Sequence, residues 1–198
     1  MKEVNRAYKF RFYPTKEQQQ VLSKTFGCTR VAYNWCLNLR KEQYTNNGKS
    51  INYHESSSLF TSLKKTDGYT WLNEVSSVPL QQALRHCNTA FLNFFGKRSS
   101  FPKFKKKSDK QSAEYTKSAF KFENGELKLA KMKKPLKIKW SRKFNGMPST
   151  VTVSKNPDGK YFVSMLITEN IKPLKTTNQS NINYLNILHH AALTSSSV

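Results

Sequence analysis

The chemistry written most plainly into this chain is recognition of a polyanion. The run Ser99-Ser100-Phe101-Pro102-Lys103-Phe104-Lys105-Lys106-Lys107 interleaves cations with aromatic rings. Ammonium groups neutralise phosphates, and flat rings stack on unpaired bases. Leu136-Lys137-Ile138-Lys139-Trp140 alternates, so Lys137 and Lys139 fall on one face of a strand and apolar residues on the other. Lysine in that position equally serves to block strand addition at a sheet edge. Ala7 to Tyr13 repeats the pattern: Tyr8, Phe10 and Phe12 point one way, Lys9 and Arg11 the other.

Catalytic patterns are missing by comparison. His54, His86, His189 and His190 have no metal-ligand spacing, and Cys28, Cys36 and Cys87 contain no C-x-x-C. The thiols read as buried and free. No glycine-rich phosphate loop and no nucleophile elbow is present. Two-metal phosphodiester cleavage needs converging carboxylates. The twelve acids fall mainly in turns and on exposed helix faces, so the expectation is no catalytic residue, no metal, no cofactor and no enzymatic activity.

The charge supports binding. Net charge is +22, from 34 basic and 12 acidic residues, and a chain so unbalanced repels itself unless a polyanion neutralises it. Between Lys97 and Lys143 there are seventeen Lys and Arg against Asp109, Glu114, Glu123 and Glu126. No apolar run approaches membrane-spanning length, and the basic residues do not share one amphipathic helix. The expectation is a cytoplasmic, nucleoid-associated protein with no membrane partner. After Lys175 no charged residue occurs.

The elements that must position these residues are legible in outline. A strand ends at Pro14, and Thr15-Lys16-Glu17-Gln18 has capping-box form, so a helix starts there and runs to about Phe26. Gly27 is expected to break it. A second helix carries Cys28, Val31, Trp35 and Leu39 as its apolar stripe, leaving Arg30, Tyr33, Asn34 and Arg40 for contacts. The pair also admits a helix-turn-helix reading. Further helices are expected over Tyr53–Lys65 and Val78–Phe95, the latter buried through Leu80, Leu84, Cys87 and Phe91, with Gln81 and Arg85 off that face. Asn124-Gly125 signals a hairpin between Ala119–Phe122 and Glu126–Leu129. Strands at 136–140, 151–153 and 160–168 complete the set. The fold class is α+β: a helical bundle inserted into a small antiparallel β-barrel. The expected divisions are 1–13 for the first strand, 14–111 for the helical domain with its basic connector, 112–172 for the rest of the barrel, and 173–198 for an uncharged, disordered or out-of-frame tail.

Three segments then resemble the OrfB/TnpB family of transposon-encoded transposases and RNA-guided DNA nucleases. They are AYKFRFYPTKEQQQVLSKTFGCTRVAYNWCLNLRKEQY (7–44), WLNEVSSVPLQQALRHCNTAFLNFFGK (71–97) and FPKFKKK (101–107), in family order. The resemblance implies a helical recognition lobe and an oligonucleotide-binding type of barrel. Together they would hold guide RNA and its heteroduplex with target DNA. The contacts expected are Lys9, Arg11, Arg30, Tyr33, Asn34, Arg40, Gln81, Arg85, Lys103, Lys105, Lys106, Lys107, Lys137 and Lys139. The family's nuclease strand, zinc ribbon and catalytic acids have no counterpart after Lys172. The expectation is therefore a binding fragment without catalysis, with a separately encoded nuclease part as one partner. A stand-alone helix-turn-helix regulator and a decayed truncation are the alternatives. Phe162, Val163 and Leu166 are the expected apolar surface of a barrel that lacks a nuclease lobe.

Overall fold

The structure, a computed structural model, describes residues 2–171, of which 3–169 form one compact unit. The tail expected from 173 onward lies outside the described residues. Strand β1 (Lys2–Phe12) leads into helix α1 (Lys16–Asn47). Helices α2 (Tyr53–Leu63) and α3 (Ser77–Phe95) follow, with a short 3-10 turn at Thr70–Asn73 between them. The strands after α3 are β2 (Gln111–Thr116), β3 (Phe120–Glu123), β4 (Glu126–Leu129), β5 (Ile138–Lys139), β6 (Pro148–Lys155) and β7 (Tyr161–Ile171).

Helix α1 begins where the capping box places it. The Gln18 amide donates to Thr15 Oγ1 at 3.3 Å, and the Thr15 amide donates to Gln18 Oε1 at 3.1 Å. It does not break at Gly27. The helix continues for 32 residues and stops at Gly48, which adopts the left-handed conformation (φ 62°). A mid-helix glycine costs about 1 kcal/mol. Burial of Phe26, Cys28 and Thr29 on either side outweighs it. No turn therefore divides residues 16–47. The buried face also differs from the expected stripe. Ala32, Tyr33, Cys36, Leu37 and Arg40 are buried, while Val31, Trp35 and Leu39 are only half-buried. Tertiary neighbours on two sides, α3 and α2, choose the face; spacing alone left it ambiguous. Helix α2 carries a second capping box, Asn52 with Glu55, that sequence reading missed.

The main sheet is five-stranded in the order β2-β6-β7-β1-β5. Strands β2, β6 and β7 are antiparallel neighbours, as are β1 and β5, with Val151 opposite both Tyr115 and Met165. Strand β2 was not foreseen, yet its alternation buries Ala113 and Tyr115. The stretch 136–140 yields only a two-residue edge strand, with Arg11 opposite Lys139. The hairpin β3-β4 turns at Asn124 (φ 51°) and Gly125 (φ 78°) as its dipeptide demands, but forms its own two-stranded sheet.

Two cores result. Phe10, Phe12, Tyr115, Leu127, Val153, Val163, Met165 and Ile167 fill the first, capped by Leu22 and Phe26 of α1. Full burial of a side chain such as Phe10 or Phe12 stabilises by roughly 1.5–3 kcal/mol. The second joins α1, α2 and α3 through Cys36, Leu37, Phe60, Leu72, Leu84, Cys87 and Phe91. All three cysteines are buried and free, as expected. Val163 belongs to the first core and is not surface; its position alternates inward between Phe162 and Ser164. Of the three residues expected outside, Leu166 is exposed and Phe162 half-buried.

Candidate nucleic-acid interface

One basic surface lies on the outer face of the sheet, because alternation in β1 turns Lys9 and Arg11 away from the core. The Lys9 ammonium sits 4.5 Å from the centre of the Phe162 ring. The Arg11 guanidinium lies 5.4 Å from Tyr13 and 5.5 Å from Phe162. Strand pairing puts Lys139 beside Arg11, and the Lys137 carbonyl accepts from the Tyr13 amide at 2.9 Å. Lys137 and Lys139 are both exposed. Arg11 Nε is buried with no hydrogen-bond partner among the described residues. Two rings thus neighbour the guanidinium, whose planar fork has the geometry that suits a bidentate oxyanion.

The second surface is a cleft of about 590 Å³ between α1, the connector after α3, and the β6–β7 turn. Arg30, Lys107 and Lys155 line it together with Phe26 and Tyr161; Asp109 is the one acid in its wall. Gln111 builds this wall. Its Oε1 accepts from Arg30 Nη1 at 2.7 Å. Its Nε2 donates to the carbonyls of Lys106 (3.1 Å), Lys107 (3.1 Å) and Asp109 (2.7 Å). The Asp109 carboxylate in turn accepts from the Lys106 amide at 2.8 Å. One glutamine thus closes a loop of consecutive lysines and ties it to Arg30. Lys155 adds a cation over Tyr161 at 5.5 Å. Tyr161 also packs its ring against Phe12 at 5.7 Å, on the core side of β1, opposite the face that carries Lys9 and Arg11.

Gln111, Lys155 and Tyr161 were not singled out from sequence. The available signal was the Asn156-Pro157-Asp158-Gly159 turn bracketed by Lys155 and Lys160. Lys160, with a smaller contribution from Arg11, holds the Asp158 carboxyl below the usual carboxylate range.

The structure gives three expected contact residues internal partners instead. Tyr33 is buried, and the Lys105 ammonium covers its ring at 4.1 Å. Burial pushes the Tyr33 hydroxyl up to about 12 and lowers the Lys105 ammonium from its ordinary value. Asn34 grips the connector: its Nδ2 donates to the Lys105 carbonyl at 3.0 Å and its Oδ1 accepts from the Lys105 amide at 2.8 Å. Arg40 is buried, donates to Asn88 Oδ1 at 2.9 Å and lies over Phe91 at 4.3 Å. A helix position off a predicted stripe is not necessarily exposed when two neighbours cover the helix. Gln81 and Arg85 are exposed on α3, with Arg85 over the Tyr53 ring at 4.3 Å. Lys103, Lys106 and Lys107 are exposed.

Several acids are tied into ion pairs. Glu169 receives Arg6 and the Tyr8 hydroxyl, Glu74 receives Lys24, Glu55 receives Lys49, and Glu114 meets His86 at 2.9 Å. Among the described residues no three metal-ligating side chains converge, and no helix is long and apolar enough to cross a membrane.

The OrfB_IS605 family model, described as a helix-turn-helix domain, matches residues 1–49. In this chain that stretch holds β1 and the single helix α1. A Streptomyces pristinaespiralis protein named as a candidate RNA-guided DNA endonuclease is 50% identical over 180 residues, 89% of this chain and 45% of the relative. InsQ of Escherichia coli K12, with the same kind of name, is 31% identical over 160 residues, 80% of this chain and 39% of the relative. The virulence protein VsdF of Salmonella dublin is 34% identical over 114 residues, 53% of this chain and 96% of the relative. The chain spans less than half the length of the two relatives named as endonucleases.

Proposed function

The chain belongs to the OrfB/TnpB family, and on that premise we propose that it is the nucleic-acid-binding, amino-terminal portion of a transposon-encoded RNA-guided DNA endonuclease. Its ligands are a guide RNA and the heteroduplex that RNA forms with DNA. Cutting belongs to the part of the longer relatives that this chain does not span. Residues 14–111 act as a recognition lobe, and residues 1–13 and 112–172 as a barrel of oligonucleotide-binding type. The protein works in the cytoplasm, at the nucleoid.

The observation that carries this reading is the cleft of Arg30, Lys107 and Lys155, with Tyr161 in its wall; Lys9, Arg11 and Lys139 form a second basic face on the outer side of the sheet. The cleft offers cations for phosphates, a ring for a base, and a loop held in shape by Gln111. Lys103, Lys105, Lys106, Lys137, Gln81 and Arg85 extend the contact around it. Affinity comes chiefly from released counterions, so binding falls steeply with salt, by a log–log slope of roughly −0.7 to −0.9 per phosphate neutralised.

The test is fluorescence anisotropy with labelled RNA and duplex DNA across a salt series. Lys107→Ala and Lys155→Ala are each expected to flatten the slope by about one. Affinity that ignores salt would overturn the proposal. Sequence-specific duplex binding with no RNA affinity would instead make the chain a DNA-binding regulator.

A further inference from the structure

The C-terminal ends of α1 and α3 enclose a second cavity, of about 300 Å³, remote from the cleft in its lining residues. Its walls are the rings of Tyr44, Phe91, Phe94, Phe95 and Phe101. Phe101 meets Phe94 edge-on at 5.2 Å and Phe91 at 5.6 Å, which fixes the back of the slot. The front is open: Tyr44 is 66% exposed and Phe95 62%. A soluble chain rarely leaves rings so bare and so close together unless they meet something.

The chemistry of the rim says what. Lys41 provides a cation, the hydroxyls of Tyr44, Thr45 and Ser50 can donate or accept, and no carboxylate lines the cavity. Arg40 also lines the cavity, donating to Asn88 and lying over Phe91, with no carboxylate among its partners. The basic connector starts at the mouth, where Arg98 folds back within 3.4 Å of the space a side chain at position 96 would fill. The occupant must be flat and apolar in its body, polar at its edge, and negatively charged where it leaves the slot. A nucleotide has that form.

We propose that this slot binds one unpaired nucleobase, stacked among Tyr44, Phe95 and Phe101, with its backbone phosphate at Lys41. The base lies in a strand segment outside any duplex, since a base inside a duplex has both faces stacked on its neighbours. The slot rests on the nucleic-acid reading above but uses different residues, so the two fail separately. Sequence tolerance follows from the chemistry, because every base has a stacking face.

The experiment titrates the whole chain with a labelled single-stranded oligoribonucleotide and with a duplex of equal length. Tyr44→Ala and Phe95→Ala are suited to it, because both rings are exposed and their loss leaves the cores intact. Each variant is expected to weaken single-strand binding at least about fivefold, the lower end of what one lost base–aromatic stack costs, with duplex affinity and the salt slope unchanged. Leu92→Ala, an equally exposed residue outside the slot, is expected to change nothing. Single-strand affinity equal to the parent's in both ring variants would overturn the slot. So would a concentration-dependent dimer that Phe95→Ala abolishes, since the patch would then be a contact between copies. A parent chain that retains no oligonucleotide at low salt would refute the function proposed above as well.

Discussion

Asn34→Ala separates the two roles open to that residue. Sequence pattern assigned it to nucleic acid, whereas the structure spends both ends of its amide on the backbone of Lys105, at 3.0 and 2.8 Å. Each such bond contributes about 0.5–1.5 kcal/mol net, and less where water can replace it. Two at a half-exposed site give about 1–2 kcal/mol. For a chain of this size that corresponds to a fall of roughly 2–8 °C in midpoint temperature. The connector would also lose the clamp that sets Lys105 over Tyr33 and leads into the Lys106–Asp109 turn. Binding should weaken through a less ordered loop, while the number of phosphates neutralised, and so the salt slope, stays the same. Thermal melting and a salt series on one preparation provide both readouts. A variant as stable as the parent but with a shallower slope would mean that Asn34 faces the ligand and the clamp is of no account.

The remaining expectations are independent of any ligand or of the cleft. Gly27→Ala should stabilise by about 0.5–1 kcal/mol, since Gly27 is helical and a Cβ there meets nothing within 4 Å; a drop in midpoint temperature would argue for a break in α1. Arg40→Ala should cost about 2–4 kcal/mol, because it removes the Asn88 bond and the cover on Phe91 from a buried position. Arg40→Met, which keeps the apolar stem, should recover part of that in urea titration. Burial raises the hydroxyls of Tyr33 and Tyr115 to about 12 from an ordinary value near 10. The unfolded chain sheds these protons first, so stability is intact below about pH 10 and declines as pH climbs through 12. Tyr115→Phe should make that decline shallower, by about 2–3 kcal/mol across the interval; an unchanged pH profile would refute the assignment.

Local rules were readable wherever a few adjacent residues settle the geometry. Thr15 with Gln18 fixed the start of α1, Asn124-Gly125 fixed the hairpin, and the Tyr8–Phe10–Phe12 alternation fixed which side of β1 is buried. The same alternation placed Lys9 and Arg11 outside. The interleaved cations and rings indicated a polyanion ligand, and the ordered segments indicated the family. Where a rule weighed a small local cost, as at Gly27, it misled, since packing on both flanks exceeds a propensity penalty of about 1 kcal/mol.

Charge, its sign and the type of chemistry were thus set by the sequence itself. Which cations face outward together was not. Lys107 and Lys155 are 48 positions apart and meet Arg30 only because β2 pairs with β6 while α1 packs against β2. Tyr33, Asn34 and Arg40 turn inward because α3 and the connector cover the helix surface that periodicity left bare. A cleft is made by long-range pairing and by the exclusion of water from chosen faces, and neither is encoded in the spacing of neighbours along a chain.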